Sequence, residues 1–451
     1  MPSRNSEKIT ENNRKIYKGL RKVLIITYYW PPSGGAGVQR WLKFVKYLRS
    51  YGWEPVVYTP ENPEPPAFDD TLEKEIPEDT RIVRQPIWEP YNFYRKLIGA
   101  RKDERINAGF LSENRKPGKA QQFSIWLRGN FFIPDARKFW IRPSVKFLVG
   151  YLKENPVDAI ISTGPPHSMH MIALGVKKKT GIPWLADFRD PWTNIDFYEQ
   201  LMLSRFADRR HRSMEQQVIK NTDRLVTVSQ NWEKDFKQLG AKRTEVVTNG
   251  FDPADFPQTE ARKPEWFTLT HTGSMNRDRN PESLWKVLGK LSAEDKVFSE
   301  KLKIQFIGKT DISVFDSLKK YGLIGKSEKT DYLPHAEAIR LSGKSAVLLL
   351  LINNTPNALG IIPGKVFEYL ASRRPVLCIG PEEGDSARII RQAKAGCIAG
   401  FNDETQLEEC IRNMFHDYMS PESTGLVSGS IETYSRKSLT GEIARILNEI
   451  V

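Results

Sequence analysis

A chain of 451 residues is too long for one ordinary core, and two domains of about 200 residues each are its natural division. Its 39% apolar and 27% charged content excludes a disordered or membrane-embedded chain, and the longest aliphatic run, at 346–352, falls far short of the ~20 residues of a spanning helix. The formal charge of +13 is concentrated: residues 1–22 hold seven Lys/Arg against two Glu, residues 95–146 hold thirteen against four acidic residues, and the remainder is close to neutral.

In chain order, residues 1–21 read as a basic extension without the apolar stretch of a secretory signal, so a cytoplasmic protein is expected. A strand is predicted at "VLIITYY". The turn "PPSGGAGVQR" follows, with Gly34, Gly35 and Gly37 leading into a helix that Gly52 ends. Strands "PVVYT" and "RIVRQ" come next, and residues 61–79 and 99–121 read as loops. The basic segment at 95–146 interleaves Phe123, Trp126, Phe131, Phe132, Phe139 and Trp140 with Arg128, Arg137, Lys138, Arg142 and Lys146, a mixture suited to an anionic membrane surface; the alternative is that its rings fill a core. Strands "DAIIST", "PWLADF", "RLVTVS" and "TEVVTN" complete the first half. The second half has "FTLTHT", "LKIQFIG", "SAVLLLLI", "PVLCIG" and "AGCIAG".

Near-continuous Val/Ile/Leu runs that alternate with helical patterns predict parallel strands buried on both faces. The fold class is therefore α/β, with two Rossmann-like, doubly wound parallel-sheet domains facing across a cleft. The Pro-, Asp- and Gly-rich stretch at 249–266 divides an N-terminal domain at 22–255 from a C-terminal domain at 256–451, whose last helix, 430–451, could pack back on the first domain. Cys378, Cys397 and Cys410 have no CxxC spacing and read as reduced thiols.

Backbone N–H groups in a glycine turn at a helix start suit phosphate or carboxylate oxygens. The nicotinamide fingerprint is not met, because Arg40 stands where its third glycine should. In "THTGSMNRDRNPESL", Gly273 ends a strand, with Arg277 and Arg279 before a helix. In "IIPGKVFEYLASRRPVLCIG", Gly364 and Lys365 open a helix and Glu368 lies one turn in. Cations beside a glycine loop can pair a diphosphate and a carboxylate can accept ribose hydroxyls, so together these describe a nucleotide-diphosphate site. In "ADFRDPW", Asp187 and Asp190 flank Arg189; a carboxylate there could take an acceptor's proton, or the Asp and Arg could pair to close a loop. His167 in "GPPHSMH" is a second base candidate, whereas His170 reads as packing. No Asp-x-Asp occurs, so neither a metal nor another cofactor is expected.

With these motifs in this order, together with "IPDARKFW" and "VTNGFDP", the chain resembles the glycosyltransferase family 4-like group, which has the GT-B fold. The resemblance implies metal-independent, retaining transfer of a sugar from a nucleotide-sugar donor to a glycan or lipid-linked acceptor, as in cell-surface polysaccharide assembly. It implies that Arg279 and Arg277 hold the diphosphate, Glu368 the ribose, Gly364 and Lys365 the sugar-phosphate, and residues 331–339 the base. Gly34, Gly35 and Gly37 would close over the donor from the N-terminal domain. Two positions depart from the family: Gly360 replaces its first glutamate, and its N-domain histidine falls at or beside Arg189. A sugar-nucleotide epimerase or hydrolase on the same fold is the alternative enzyme. A nucleic-acid-binding protein is the alternative from another class; nucleic acid is not an expected partner, because the basic excess lies away from the donor motifs.

Overall fold

The computed structural model describes residues 19–65, 67–89, 119–195, 198–256, 263–331, 333, 335–427 and 429–451. Most of the basic extension and the greater part of the 99–121 stretch lie outside them. The chain divides into two compact units. The first comprises Met1–Val228, Glu233–Val247 and Arg436–Val451, and the second Ser229–Trp232 and Thr248–Ser435.

In the first unit the apolar runs form β1 (Arg21–Ile26), β2 (Trp53–Pro60), β3 (Arg81–Gln85), β4 (Ala159–Gly164), β5 (Trp184–Phe188), β6 (Arg224–Thr227) and β7 (Thr244–Val246). They pair in the order β3-β2-β1-β4-β5-β6-β7, each neighbour parallel. Helices α1 (Ala36–Leu48), α2 (Lys119–Phe131), α3 (Lys138–Glu154), α4 (Ser168–Thr180), α5 (Arg205–Asn221) and α6 (Gln230–Gln238) follow the chain between them. Val38, Trp41, Leu42, Val45 and Leu48 of α1 recur at helical spacing and are wholly buried, so one stripe of the helix covers the sheet. Residues 119–121, expected in a loop, open α2, and the 61–79 stretch contains a short helical turn, Asp70–Glu75. That turn is capped by Asp69 and held by buried Leu72.

The second unit contains β8 (Phe267–Thr272), β9 (Leu302–Ile307), β10 (Ser327–Thr330), β11 (Val347–Leu351), β12 (Val376–Ile379) and β13 (Gly396–Ala399), in the order β10-β9-β8-β11-β12-β13 and again parallel throughout. Its helices are α7 (Glu282–Glu294), α8 (Lys296–Lys301), α9 (Ile312–Lys320), α10 (His335–Ser342), α11 (Lys365–Ser372), α12 (Asp385–Gln392) and α13 (Glu404–Met419). Strand β10, "SEKT", carries no apolar pattern because it is a half-exposed edge, and so it was not predicted. The cysteines also differ from expectation. Cys397 of β13 and Cys410 of α13 form a disulfide across a Cα separation of 5.9 Å, and only Cys378 is a free thiol.

The chain then returns to the first unit as α14 (Arg436–Ile450). Leu439, Ile443, Ile446 and Leu447 join the core around Trp41. The Tyr51 hydroxyl donates to the Lys437 carbonyl at 2.9 Å and Trp53 Nε1 donates to Asn448 Oδ1 at 3.1 Å. In each sheet the order reverses once, between β1 and β4 and between β8 and β11. The carboxyl ends of those strands are where doubly wound sheets take ligands.

Candidate functional site

In the second unit, β8 ends at Gly273, whose φ of +86° is open to glycine but costly for other residues. Its N–H donates to the Ile307 carbonyl at 2.7 Å, and a Cβ on Gly308 would lie 2.9 Å from the Gly273 oxygen, so the ends of β8 and β9 can meet only as glycines. Into this corner α11 sends its first side chain. Lys365 Nζ donates to the Thr272 carbonyl and lies 3.2 Å from His271 Nε2. Burial, then Lys365 and Arg279, hold the His271 imidazole well below its ordinary pKa, so it is neutral and its Nε2 can accept. Burial, reinforced by Arg279 and opposed by Glu368, lowers Lys365 to about 7. Arg279 donates through Nε to Asn353 Oδ1 and through Nη1 to the Ser274 carbonyl at 3.2 Å. The Tyr369 hydroxyl accepts from the Thr272 N–H at 3.1 Å, pinning α11 to β8. Gly273, Arg279 and Lys365 thus come together. Gly364 is exposed at the start of α11, Glu368 is half-buried one turn in, and Arg277 is exposed on the turn that carries Arg279.

In the first unit the glycine turn sits at the end of β1. The Gly34 N–H donates to the Ala67 carbonyl at 2.8 Å, and a Cβ on Gly34 would press on the Asp69 side chain at 3.2 Å. Gly35, at φ +95°, starts α1. A Cβ on Gly37 would lie 2.7 Å from Arg189 Nη1. Arg189 donates to the carbonyls of Gly37 at 2.9 Å, Gly164 at 3.3 Å and Pro165, tying the loop after β5 to those after β1 and β4. Packing within the first unit therefore accounts for Gly34 and Gly37.

The ion pair is not the one the local sequence suggests. Asp187 is fully buried and pairs with Arg40, which donates from Nη2 at 2.9 Å and Nε at 3.2 Å. Trp41 Nε1 at 2.7 Å and the Thr163 hydroxyl at 2.9 Å complete the carboxylate's partners. Burial pushes the Asp187 pKa up, but Arg40 and these donors outweigh it and hold the acid below its usual range. That is the geometry of an anchor, without an open face for an acceptor hydroxyl. Asp190 is half-buried beside Arg189, whose guanidinium it helps keep charged against burial.

His167, preceding α4, stacks on Trp192 with centroids 4.5 Å apart and planes within 2°. Its Nδ1 has no hydrogen-bond partner among the described residues. Burial, then His170, His211 and Arg189, keep it neutral. The Ser162 hydroxyl accepts from Trp184 Nε1 at 2.8 Å and so donates its own hydrogen to His170 Nδ1 at 2.8 Å, leaving the His170 proton on Nε2. A Cβ on Gly164 would lie 2.6 Å from His170 Nε2 and 3.2 Å from His167 Nδ1, so the two rings converge on that glycine.

Residues 34–250 match the family model of a glycosyl transferase 4-like domain. The chain carries that domain on a GT-B glycosyltransferase fold. No curated protein sequence matches it. Among solved structures it is similar to HepE of Anabaena in complex with UDP, at 12% identity over 95% of this chain and 100% of that one, with a TM-score of 0.61. A glycosyltransferase of Rickettsia africae gives 14% identity over 96% and 98% and a TM-score of 0.58. The lipopolysaccharide outer core galactosyltransferase WaaB gives 12% over 95% and 99% and a TM-score of 0.56.

This GT-B protein departs from the family at Gly360 for a steric reason: a Cβ there would overlap the indole of Trp232. His271, Asn353 and Tyr369 went unnoticed in the sequence. The only signal for His271 was its place two residues before the glycine that ends β8, and Asn353 and Tyr369 become neighbours of Arg279 and Thr272 only through the fold. Arg40 was noted only for the glycine it displaces.

Proposed function

We propose that the protein transfers a sugar from a nucleotide-sugar to a glycan or lipid-linked acceptor in cell-surface polysaccharide assembly, without a metal ion. The observation that carries this reading is the Lys365 ammonium, enclosed at the end of β8 beside Gly273 and Arg279. A cation lowered to about 7 by burial and a neighbouring arginine is best satisfied by an anion, and a diphosphate has the charge and reach to meet both side chains. Glu368, one turn along α11, would accept from ribose hydroxyls. As the bond between the anomeric carbon and the diphosphate oxygen breaks, Lys365 and Arg279 would hold the charge that develops on the leaving group. The acceptor oxygen bonds to the anomeric carbon and gives up its proton. In the first unit, neutral His167 with its open Nδ1 is better suited to take that proton than Asp187. The structures of HepE with UDP and with UDP-glucose support a nucleotide-sugar donor, and the likeness to WaaB supports a surface-polysaccharide role.

Calorimetry with UDP-, GDP- and ADP-sugars tests the reading. At least one should bind, Lys365→Met should weaken it by about ten- to a hundredfold through loss of a charged hydrogen bond, and Glu368→Ala should abolish acceptor-dependent release of nucleoside diphosphate. Absence of binding by all three classes would overturn it.

A further inference from the structure

Six of the seven exposed Phe and Trp side chains among the described residues gather in one region of the first unit, far from the scatter expected of a solvent face. They are Trp88, Phe123, Trp126, Phe131, Phe139 and Phe206. Phe123 and Trp126 stack at 5.9 Å, Trp126 meets Phe131 at 5.8 Å, and Trp88 meets Phe139 at 4.9 Å. Lys138 joins the two groups: its Nζ donates to the Phe131 carbonyl at 2.5 Å and lies 5.1 Å from the centre of the Phe139 ring. Asn130 at the end of α2 binds the Met202 carbonyl and the Ser204 N–H, which sets the start of α5 and its 72% exposed Phe206 against the same region.

The charge on this region is of one kind at its edges. Arg209 and Arg210 follow Phe206 at helical spacing of three and four, so ring and cations share an exposed face of α5. Arg205 and Arg142 are exposed as well. Arg142, Arg205, Arg209 and Arg210 have no ion-pair partner among the described residues, whereas neighbouring Arg212 is matched by Asp208. Arg210 lies close enough to Lys138 to disfavour its charge, so the two positive edges belong to one surface.

We propose that this face docks on an anionic lipid bilayer, its rings at the boundary between headgroups and acyl chains and its arginines among the lipid phosphates. The rings favour lipid over nucleic acid. Base stacking needs open ring faces, and here Phe123 and Trp126 cover one another while Trp88 and Phe139 meet edge to face. The inference concerns a surface remote in sequence from Lys365 and does not depend on the reaction proposed above.

Sedimentation of the full chain with vesicles tests it. The protein should pellet with phosphatidylcholine vesicles containing about one-third phosphatidylglycerol, less so as salt rises, and stay in solution with pure phosphatidylcholine. Neutralising both arginines, Arg209→Gln with Arg210→Gln, should reduce partition by about twenty-fivefold, about fivefold per cation. Phe206→Ser should reduce it by about tenfold. All three positions are exposed, so melting followed by circular dichroism should be unchanged, which separates lost docking from lost folding. Equal pelleting with neutral vesicles, no pelleting at all, variants that partition like the parent chain, or tighter retention on single-stranded DNA would each overturn the proposal.

Discussion

Lys365 is the residue whose protonation matters most at neutral pH. Its pKa of about 7 in the free protein should rise when an anion sits against it, so diphosphate binding takes up a proton. UDP affinity should therefore be flat below about pH 7 and fall by up to about tenfold per pH unit above it, and Lys365→Met should remove that slope. Calorimetry in buffers of different ionisation enthalpy would read the proton directly. In the first unit, Asp187→Asn should cost roughly 3–5 kcal/mol in urea unfolding at neutral pH, because Arg40 would keep its charge without a counter-charge. The folded-state pKa of Asp187 is lowered, so its contribution is present above the unfolded value and is lost as pH falls through the folded one. The gap between parent and variant should persist through mildly acidic pH and close only below the usual carboxylate range. Both residues were legible as candidates. Their partners were not: Arg40 is 147 positions from Asp187 and His271 is 94 from Lys365, separations that no local pattern reports.

Among the elements, the glycine turn before α1 shows how one motif can have several causes. Gly35→Ala should cost about 1–3 kcal/mol for backbone reasons alone, since its φ of +95° lies where side chains are strained. Gly37→Ala should cost about 1–3 kcal/mol by displacing Arg189 from the Gly37 carbonyl, and thermal melts would register both. Neither substitution should change UDP binding if the donor site lies wholly in the second unit. Twelve of the thirteen strands could be read from apolar runs, because a parallel strand buried on both faces must be apolar along its length. β10 could not, because only one side of an edge strand is paired. The Cys397–Cys410 bridge was equally hidden, since it depends on α13 packing over β13.

For the molecule as a whole, the first unit's core depends on the end of the chain. Removing residues 436–451 would expose the surface that Leu439, Ile443, Ile446 and Leu447 cover, at about 2 kcal/mol for each side chain. The sum, about 8 kcal/mol, is comparable with the whole stability of an ordinary domain. The truncated protein should lose the cooperative melt of its first unit while the second still binds UDP, measurable by calorimetry. By itself the sequence determined the α/β class, the presence of two parallel-sheet halves, and the glycine and cation motifs at strand ends, because burial and backbone geometry leave their mark on neighbouring residues. Only the tertiary structure decided that Asp187 is an anchor paired with Arg40, that His271 stands beside Lys365, that Trp232 fills the space beside Gly360, and which aromatic rings face outward. Each of those facts is a contact or an exposure set by residues distant in the chain, and it comes into being only when the sheets close around their cores.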